Sequence, residues 1–316
     1  MVPELYLYDP VMCCICMEDV GDHENMWYGL RDHKTYPQFA EDITTFLANT
    51  LILTTDSVLS PEKKKEYQKE FINPEMCGIT ESLVLTDPYM ENCETNEVFP
   101  LNETFVQETI FRDECLRLEV AKLKEVFKSK AQSLIHGDLH CGSIFVKSDS
   151  TKVLDPEFAY YGPAGYDVGN VLAHLFFAWV NAQVTLPDGP LKQQFQLWVQ
   201  ETIIQVVDLF YQKAKVLLTE EATDAMAKTE GFAEWFLRDI LADTAGYTGT
   251  ELIRRIVGEA KVRLINLIDD AKQKALAERI CLQLGKSLIM NRFNMNDGKS
   301  YLEWLNRAVS EVTNEG

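Results

Sequence analysis

The chain has 316 residues, 46% of them hydrophobic and 25% charged, ordinary values for a globular protein of one large or two small domains. Its net charge of −19 excludes a surface built for nucleic acid or an anionic membrane, because both need clustered Lys and Arg. It does not exclude a nucleotide, for which a few local cations and a metal suffice. The longest apolar run, 171–180, contains His174 and falls far short of the ~20 residues that span a bilayer. No basic start followed by an apolar core marks a secretory signal. Eight scattered cysteines, mostly within apolar segments, suit reduced thiols and a cytoplasmic protein.

In chain order, residues 5–17 predict one or two strands, LYLYD and PVMCCICM, with Asp9-Pro10 as the turn. Cys13 and Cys16 have CxxC spacing but no second pair nearby, so a buried strand is expected there rather than zinc or a redox pair. From Pro37 the pattern turns helical, with Phe39, Ile43, Phe46 and Leu47 at helix spacing. Residues 63–71 predict a charged, solvated helix. Residues 74–100 predict loops, and 105–130 one long amphipathic helix. Two short apolar strands follow, Ile144-Phe145-Val146 and Lys152-Val153-Leu154. After Asp167 the chain predicts helices over 168–184, 192–218, 223–242, 250–267, 269–290 and 301–312, with Gly246, Gly249, Gly258 and Gly285 punctuating or ending them. No internal repeat or low-complexity linker is visible.

The chemistry concentrates in residues 133–171. His136-Gly137-Asp138 stands just before the first of the two strands, and Asp155-Pro156-Glu157 just after the second. Phosphoryl transfer to an alcohol needs an acid to take the hydroxyl proton, carboxylates to hold Mg²⁺ against phosphates, and cations for the transferred group. Asp138 fits the first role, and with Ser143 it keeps the H-x-D-x-x-x-x-N spacing of kinase catalytic loops, Ser replacing Asn. Asp155 stands where kinases place a metal-binding Asp, and Glu157 adds a second carboxylate suited to Mg²⁺. Singly, each acid reads as a turn residue or helix cap; together, within 22 positions, they form a specific pattern. Asp167 is read as structural, either an N-cap or a buried acid bonding the catalytic-loop backbone. His136 is read as a core residue holding the loop. His140 is left between phosphates and solvent.

HGDLHCGSIFV, TKVLDPEFAYYGPAGYDVGNVLA and GYTGTELIRRIVG resemble the S-methyl-5-thioribose kinases nearly residue for residue, and the likeness runs from Leu5 to about Asn291. Choline kinases and aminoglycoside phosphotransferases share the general loop but not the DPEFA run or the paired arginines. The resemblance implies an α+β, protein-kinase-like fold, mainly the helical C-lobe with a catalytic β-hairpin and only the last N-lobe strands. It implies transfer of the ATP γ-phosphate to the 1-hydroxyl of methylthioribose in methionine salvage. Asp138 would be the base, and Asp155 and Glu157 would bind Mg²⁺. Asp138, Arg254 and Arg255 would contact substrate, and Glu18, Val20, His136 and Ser143 would contact nucleotide. Met17-Glu18-Asp19-Val20 resembles the hinge that binds adenine. By spacing alone the arginine pair is ambiguous, because adjacent helical residues point ~100° apart and one could simply meet surface acids.

Two regions are expected: 1–22, a remnant of N-lobe sheet and hinge, and 23–316, a helical C-lobe. No glycine-rich loop or strand lysine precedes the CCIC strand, so most of the N-lobe is expected to be missing, by truncation or in a degenerate paralogue. A homodimer is implied by the resemblance alone. Two other readings stay open: a non-enzymatic binding or scaffold protein built on a kinase C-lobe, and a kinase of another small alcohol. The intact Asp138, Asp155 and Glu157 weigh against the scaffold.

Overall fold

The computed structural model describes residues 1–314. β1 (Leu5–Asp9) and β2 (Cys14–Met17) form an antiparallel hairpin whose turn is fixed by Asp9, its Oδ1 accepting from the Val11 and Met12 amides at 2.9 and 3.0 Å. The strand expected to be buried is not: residues 11–17 are exposed, Ile15 by 56%. The reason is topological. Among the described residues the hairpin pairs with no third strand, and residues 11–17 are left exposed.

A short strand, β3 (Glu24–Asn25), leads into α1 (Met26–Arg31), where Asn25 accepts from the Trp27 amide as N-cap. α2 (Phe39–Ile52) buries Phe39, Ile43, Phe46 and Leu47, the stripe its spacing predicts. α3 (Pro61–Glu70) is the expected charged helix with one exception. Lys64 is only 1% exposed; its Nζ donates to the Gln132 and Thr54 carbonyls at 2.7 and 3.1 Å and lies over the Tyr161 ring. The long stem lets this lysine reach inward from a solvated face.

Residues 74–83 form a helix, α4 (Pro74–Leu83), rather than a loop, because Pro74 occupies the first turn, where its missing N–H costs nothing. The single helix expected over 105–130 is divided. α5 (Glu103–Val106) runs into a π turn at Gln107–Phe111, and α6 (Glu114–Ser129) restarts under the cap of Asp113, whose Oδ1 accepts from the Leu116 amide at 2.9 Å.

Four strands then place the polar loops. β5 (Ile144–Lys147) and β6 (Ser150–Val153) form the catalytic hairpin, with Ile144 opposite Val153, and β3 pairs on its edge at Glu24 and Asn25. β4 (Ser133–Ile135) and β7 (Tyr160–Gly162) bracket it and pair with each other. Loops 136–143 and 154–159 therefore both run between the same two small sheets.

The helical body is α7 (Gly165–Thr185), α8 (Pro190–Glu221), α9 (Phe232–Val257), α10 (Arg263–Asn266), α11 (Ala271–Met290) and α12 (Gly298–Asn314). α7 is buried along nearly its whole length and packs on α8, α9 and α11. α9 is one continuous helix where two were expected, and residues 223–231 are turns. Gly249 does not interrupt it, because the glycine is needed for packing. A Cβ there would lie 2.4 Å from the Gly285 carbonyl oxygen, and one at Gly285 would lie 2.9 Å from that of Gly249, so α9 and α11 meet backbone to backbone. The architecture is α+β, with the small sheets at one side of a helical body. No helix among the described residues is long and apolar enough to cross a membrane.

Candidate active site

The catalytic loop is held from three sides. Asp167, buried in the first turn of α7, accepts from the His136 amide at 2.6 Å and the Gly137 amide at 3.0 Å. Of the two structural readings of Asp167, the backbone clamp is the one realised. Burial pushes its carboxyl up, while His136 and the two N–H bonds pull the other way; the net shift is upward. The buried His136 ring ties this loop to the next. Its Nε2 lies 2.8 Å from the Leu154 carbonyl, to which only an N–H can donate, and its Nδ1 accepts from the Asp138 amide at 3.4 Å. Both ring nitrogens are thereby engaged by backbone, and the ring ties the Asp138 loop to the residue before Asp155.

Gly137 has φ +84°, and a Cβ on it would lie 2.3 Å from the Phe158 carbonyl oxygen. The two loops thus touch through a position open only to glycine. Ser143 is buried, its hydroxyl 3.3 Å from the Asp138 carbonyl oxygen, so it closes the loop on itself. Asn73, far away in sequence, donates to the Glu157 and Ala159 carbonyls at 2.8 and 3.2 Å and braces the Asp-Pro-Glu turn.

The carboxylate of Asp138 sits among cations. Arg254 Nη2 and Arg255 Nη2 both approach Oδ1 at 3.3 Å, and His140 Nε2 lies 3.4 Å from Oδ2. His140 leans on Asp138 rather than on solvent. Its Nδ1 accepts from the Gly142 amide at 2.9 Å, which leaves Nε2 as the protonated nitrogen of the neutral ring. Burial lowers the His140 pKa, although Asp138 opposes this.

Both arginines reach one oxygen because of a residue the sequence reading passed over. Glu251, 1% exposed, accepts from Arg254 Nε through Oε2 at 2.6 Å and from Arg255 Nε through Oε1 at 2.7 Å. The spacings are i,i+3 and i,i+4, so one carboxylate spans the angle between adjacent side chains and turns both forks the same way. Burial pushes Glu251 up, but Arg254 and Arg255 outweigh it and hold its pKa well below the usual carboxylate range. Burial likewise pulls Arg254 down, yet Glu251 and Asp138 leave it raised. The E-x-x-R-R pattern was the available signal.

Asp155 and Glu157 are exposed, and neither carboxylate has a protein partner among the described residues. Asp155 has φ +67°, in the left-handed region. Two free carboxylates on a loop pinned to the catalytic loop are an all-oxygen donor set of the kind Mg²⁺ takes, with phosphate and water completing the shell. The Glu18–His23 connector lies along the catalytic hairpin, through Glu18 to Lys152 at 2.8 Å, Asp22 to Lys147 at 2.8 Å and His23 to Ser150 at 3.0 Å. Next to Asp138 opens a pocket of about 290 Å³ walled by Trp27, Tyr28, His140, His174, Arg255 and Arg263.

Comparison with known proteins agrees with this geometry. Residues 73–199 match the family model described as the phosphotransferase enzyme family, APH. The methylthioribose kinase of Geobacillus sp. (strain WCH70) is 37% identical over 313 residues, covering 99% of this chain and 76% of that protein. That of Exiguobacterium sibiricum is 37% identical over 98% of this chain and 76% of its own length. That of Geobacillus kaustophilus is 39% identical over 92% of this chain and 71% of its own. This chain thus spans about three quarters of the length of such relatives. With likeness running along nearly all of it, and Asp138, an arginine pair and an Asp-x-Glu turn brought to one side of the helical body, the chain belongs to the methylthioribose kinase family of small-molecule kinases.

Proposed function

We propose that the protein transfers the γ-phosphoryl group of ATP to the 1-hydroxyl of S-methyl-5-thioribose. The observation that carries this reading is the convergence of Arg254 and Arg255 on one oxygen of Asp138, where Arg255 and His140, both within 3.4 Å of that carboxylate, also line a pocket of about 290 Å³. Asp138 accepts the proton of the attacking hydroxyl and aims its oxygen at phosphorus. The bond from that oxygen to the γ-phosphorus forms as the bond to the β,γ-bridging oxygen breaks, and ADP leaves. Arg254 and Arg255, preorganised by Glu251, hold the oxygens of the transferring group and offset the charge that develops there. Trp27 and Tyr28 offer aromatic surface to the methylthio arm.

Asp155 and Glu157 are the residues that would hold Mg²⁺, which when bound neutralises phosphate charge. Adenine is assigned to the connector: the Glu18 carbonyl and Val20 amide have no hydrogen-bond partner among the described residues, one acceptor and one donor as an adenine edge requires. Residues 1–22 then serve as the nucleotide-facing hairpin and hinge, and 23–314 as the lobe bearing acceptor and metal sites. A homodimer belongs to the proposal on family likeness alone, and sedimentation of the purified chain tests it. A cytoplasmic location fits the eight free cysteines, four of them exposed.

The test is a coupled assay for ADP release with methylthioribose, choline and an aminoglycoside as acceptors. Methylthioribose is expected to be preferred. Asp138→Asn should lower its turnover by about 10²–10⁴-fold, the usual worth of a general base, while calorimetry finds methylthioribose binding preserved. Preference for another alcohol, or an Asp138→Asn enzyme as fast as wild type, would refute the proposal.

A further inference from the structure

The two oxygens of Asp138 are unequally occupied. Oδ1 carries both arginine forks, at 3.3 Å each. No hydrogen bond reaches Oδ2 among the described residues; His140 Nε2 stands 3.4 Å from it, longer than a normal N–H···O bond. Oδ2 is therefore the oxygen open to a substrate hydroxyl.

The His140 ring is fixed in place. Its Nδ1 accepts from the Gly142 amide at 2.9 Å, and it fills the space a side chain on Gly142 would take, since a Cβ there would lie 2.6 Å from its Cε1. Burial holds its pKa below the ordinary histidine value, helped by Arg254 and Arg255 and opposed by Asp138 and Glu251, so the ring is neutral near pH 7 with its proton on Nε2. The side chain is 28% exposed and lines the pocket together with Arg255. The other imidazole of that wall, His174, has its ring centre 5.8 Å away, but both its nitrogens are buried and without hydrogen-bond partners, so it offers the pocket no polar atom. One N–H with its bonding capacity unspent thus stands at the pocket surface beside the open oxygen of Asp138.

A hydroxyl on the carbon next to the attacking one, in a gauche diol, lies within hydrogen-bonding distance of its neighbour. With the first hydroxyl on Oδ2, the second comes within reach of a donor that close to Oδ2. A donor placed on the attacking oxygen itself would draw on the lone pair the reaction needs; placed on the neighbouring oxygen, it does not.

We propose that His140 is an acceptor-binding residue that makes this site a reader of vicinal diols: the 1-hydroxyl of the acceptor donates to Asp138 Oδ2 while the oxygen of its 2-hydroxyl accepts from His140 Nε2. This rests on the acceptor being methylthioribose. An acceptor with a lone hydroxyl, such as choline, engages only the first of the two contacts.

The experiment compares methylthioribose with its 2-deoxy analogue in wild type, His140→Leu and His140→Gln, by calorimetry and steady-state kinetics. Glutamine keeps an N–H donor at similar reach, and leucine keeps only bulk. Wild type should favour the parent sugar over the 2-deoxy analogue by roughly tenfold in Kd and in kcat/KM. His140→Leu should bring that ratio to within about twofold of one, and His140→Gln should recover most of it. A residue that merely shaped the loop would weaken both sugars alike, so a ratio unchanged in His140→Leu overturns the assignment, as does a wild type indifferent to the 2-hydroxyl. Should the variants fail to fold, ¹⁵N spectra of histidine-labelled wild type decide: the protonated Nε2 resonance of His140 should move further on saturation with methylthioribose than with the 2-deoxy analogue, and equal movement, or none, overturns the proposal. If the wild type binds no methylthioribose, the substrate reading falls and this assignment with it; if it binds and the ratio is the same in all three proteins, only the role of His140 falls.

Discussion

Replacing Glu251 by Gln keeps the shape of the side chain and removes its charge, which isolates what that charge does. Arg254, 7% exposed, and its neighbour would then share only Asp138 as a close counter-ion, and an amide would face two Nε–H donors with one acceptor. Removing one partner of a buried ion pair costs about 3–5 kcal/mol. At ~2.1 cal/mol/K per residue, 316 residues give an unfolding entropy of about 0.66 kcal/mol/K, so the expected loss of Tm is about 5–8 °C. Scanning calorimetry at pH 7 measures it. The pH dependence adds a second check. Glu251 titrates well below its unfolded value, so its contribution is complete above the unfolded pKa, near 4.3, and fades as pH falls through the folded one. The gap between wild type and Glu251→Gln should be constant from about pH 8 to pH 5 and narrow only in stronger acid. Turnover should fall by about 10²–10³-fold as the arginines lose their aim. A variant melting within a degree or so of wild type at pH 7 would refute the account of a single buried carboxylate setting both forks.

Asp167→Ala leaves the buried His136 and Gly137 amides without their acceptor, at about 1–3 kcal/mol for each group; hydrogen exchange should find these two amides deprotected, and unchanged protection would contradict the clamp. Gly249→Ala drives a methyl into the Gly285 carbonyl and should cost about 1–3 kcal/mol, read as a fall in Tm; an unchanged Tm would mean the helices have slack there. Asp155→Asn should raise the Mg²⁺ concentration for half-maximal turnover by roughly tenfold or more, and an unaltered Mg²⁺ titration would remove Asp155 from the metal site.

What the sequence discloses of this site depends on how far apart its parts lie. His136, Asp138, Asp155 and Glu157 fall within 22 positions around one hairpin, so local pattern finds them together. The arginines were found, but their arrangement was not. The ~100° between neighbours on a helix ignores the length of an arginine stem and the two oxygens of Glu251 three and four residues back. His174 reads only as a buried position, since what makes it unusual is the absence of a partner, a fact of tertiary structure. The same holds for the fold. Gly249 reads as a breaker because its use, contact with Gly285, is 36 positions away. The β4–β7 pairing closes across 25 residues and leaves no local periodicity, and Asn73 reaches the Asp-Pro-Glu turn across 84. The apolar CICM strand misled for a related reason: an apolar run says that a strand can be buried, not that anything lies over it.

The left-handed backbone of Asp155 has a consequence for how this enzyme family can vary. At φ +67° most side chains cost about 1–2 kcal/mol, and glycine, asparagine and aspartate are the usual tenants. Of these three, only aspartate supplies a carboxylate. Glutamate, chemically its nearest equivalent, lacks the short side chain that makes the conformation tolerable. Two independent filters, one on charge and one on backbone shape, act on a single codon and leave one residue. An alanine scan at this position would therefore mix a conformational penalty with a lost ligand, and the asparagine substitution is the one that separates them.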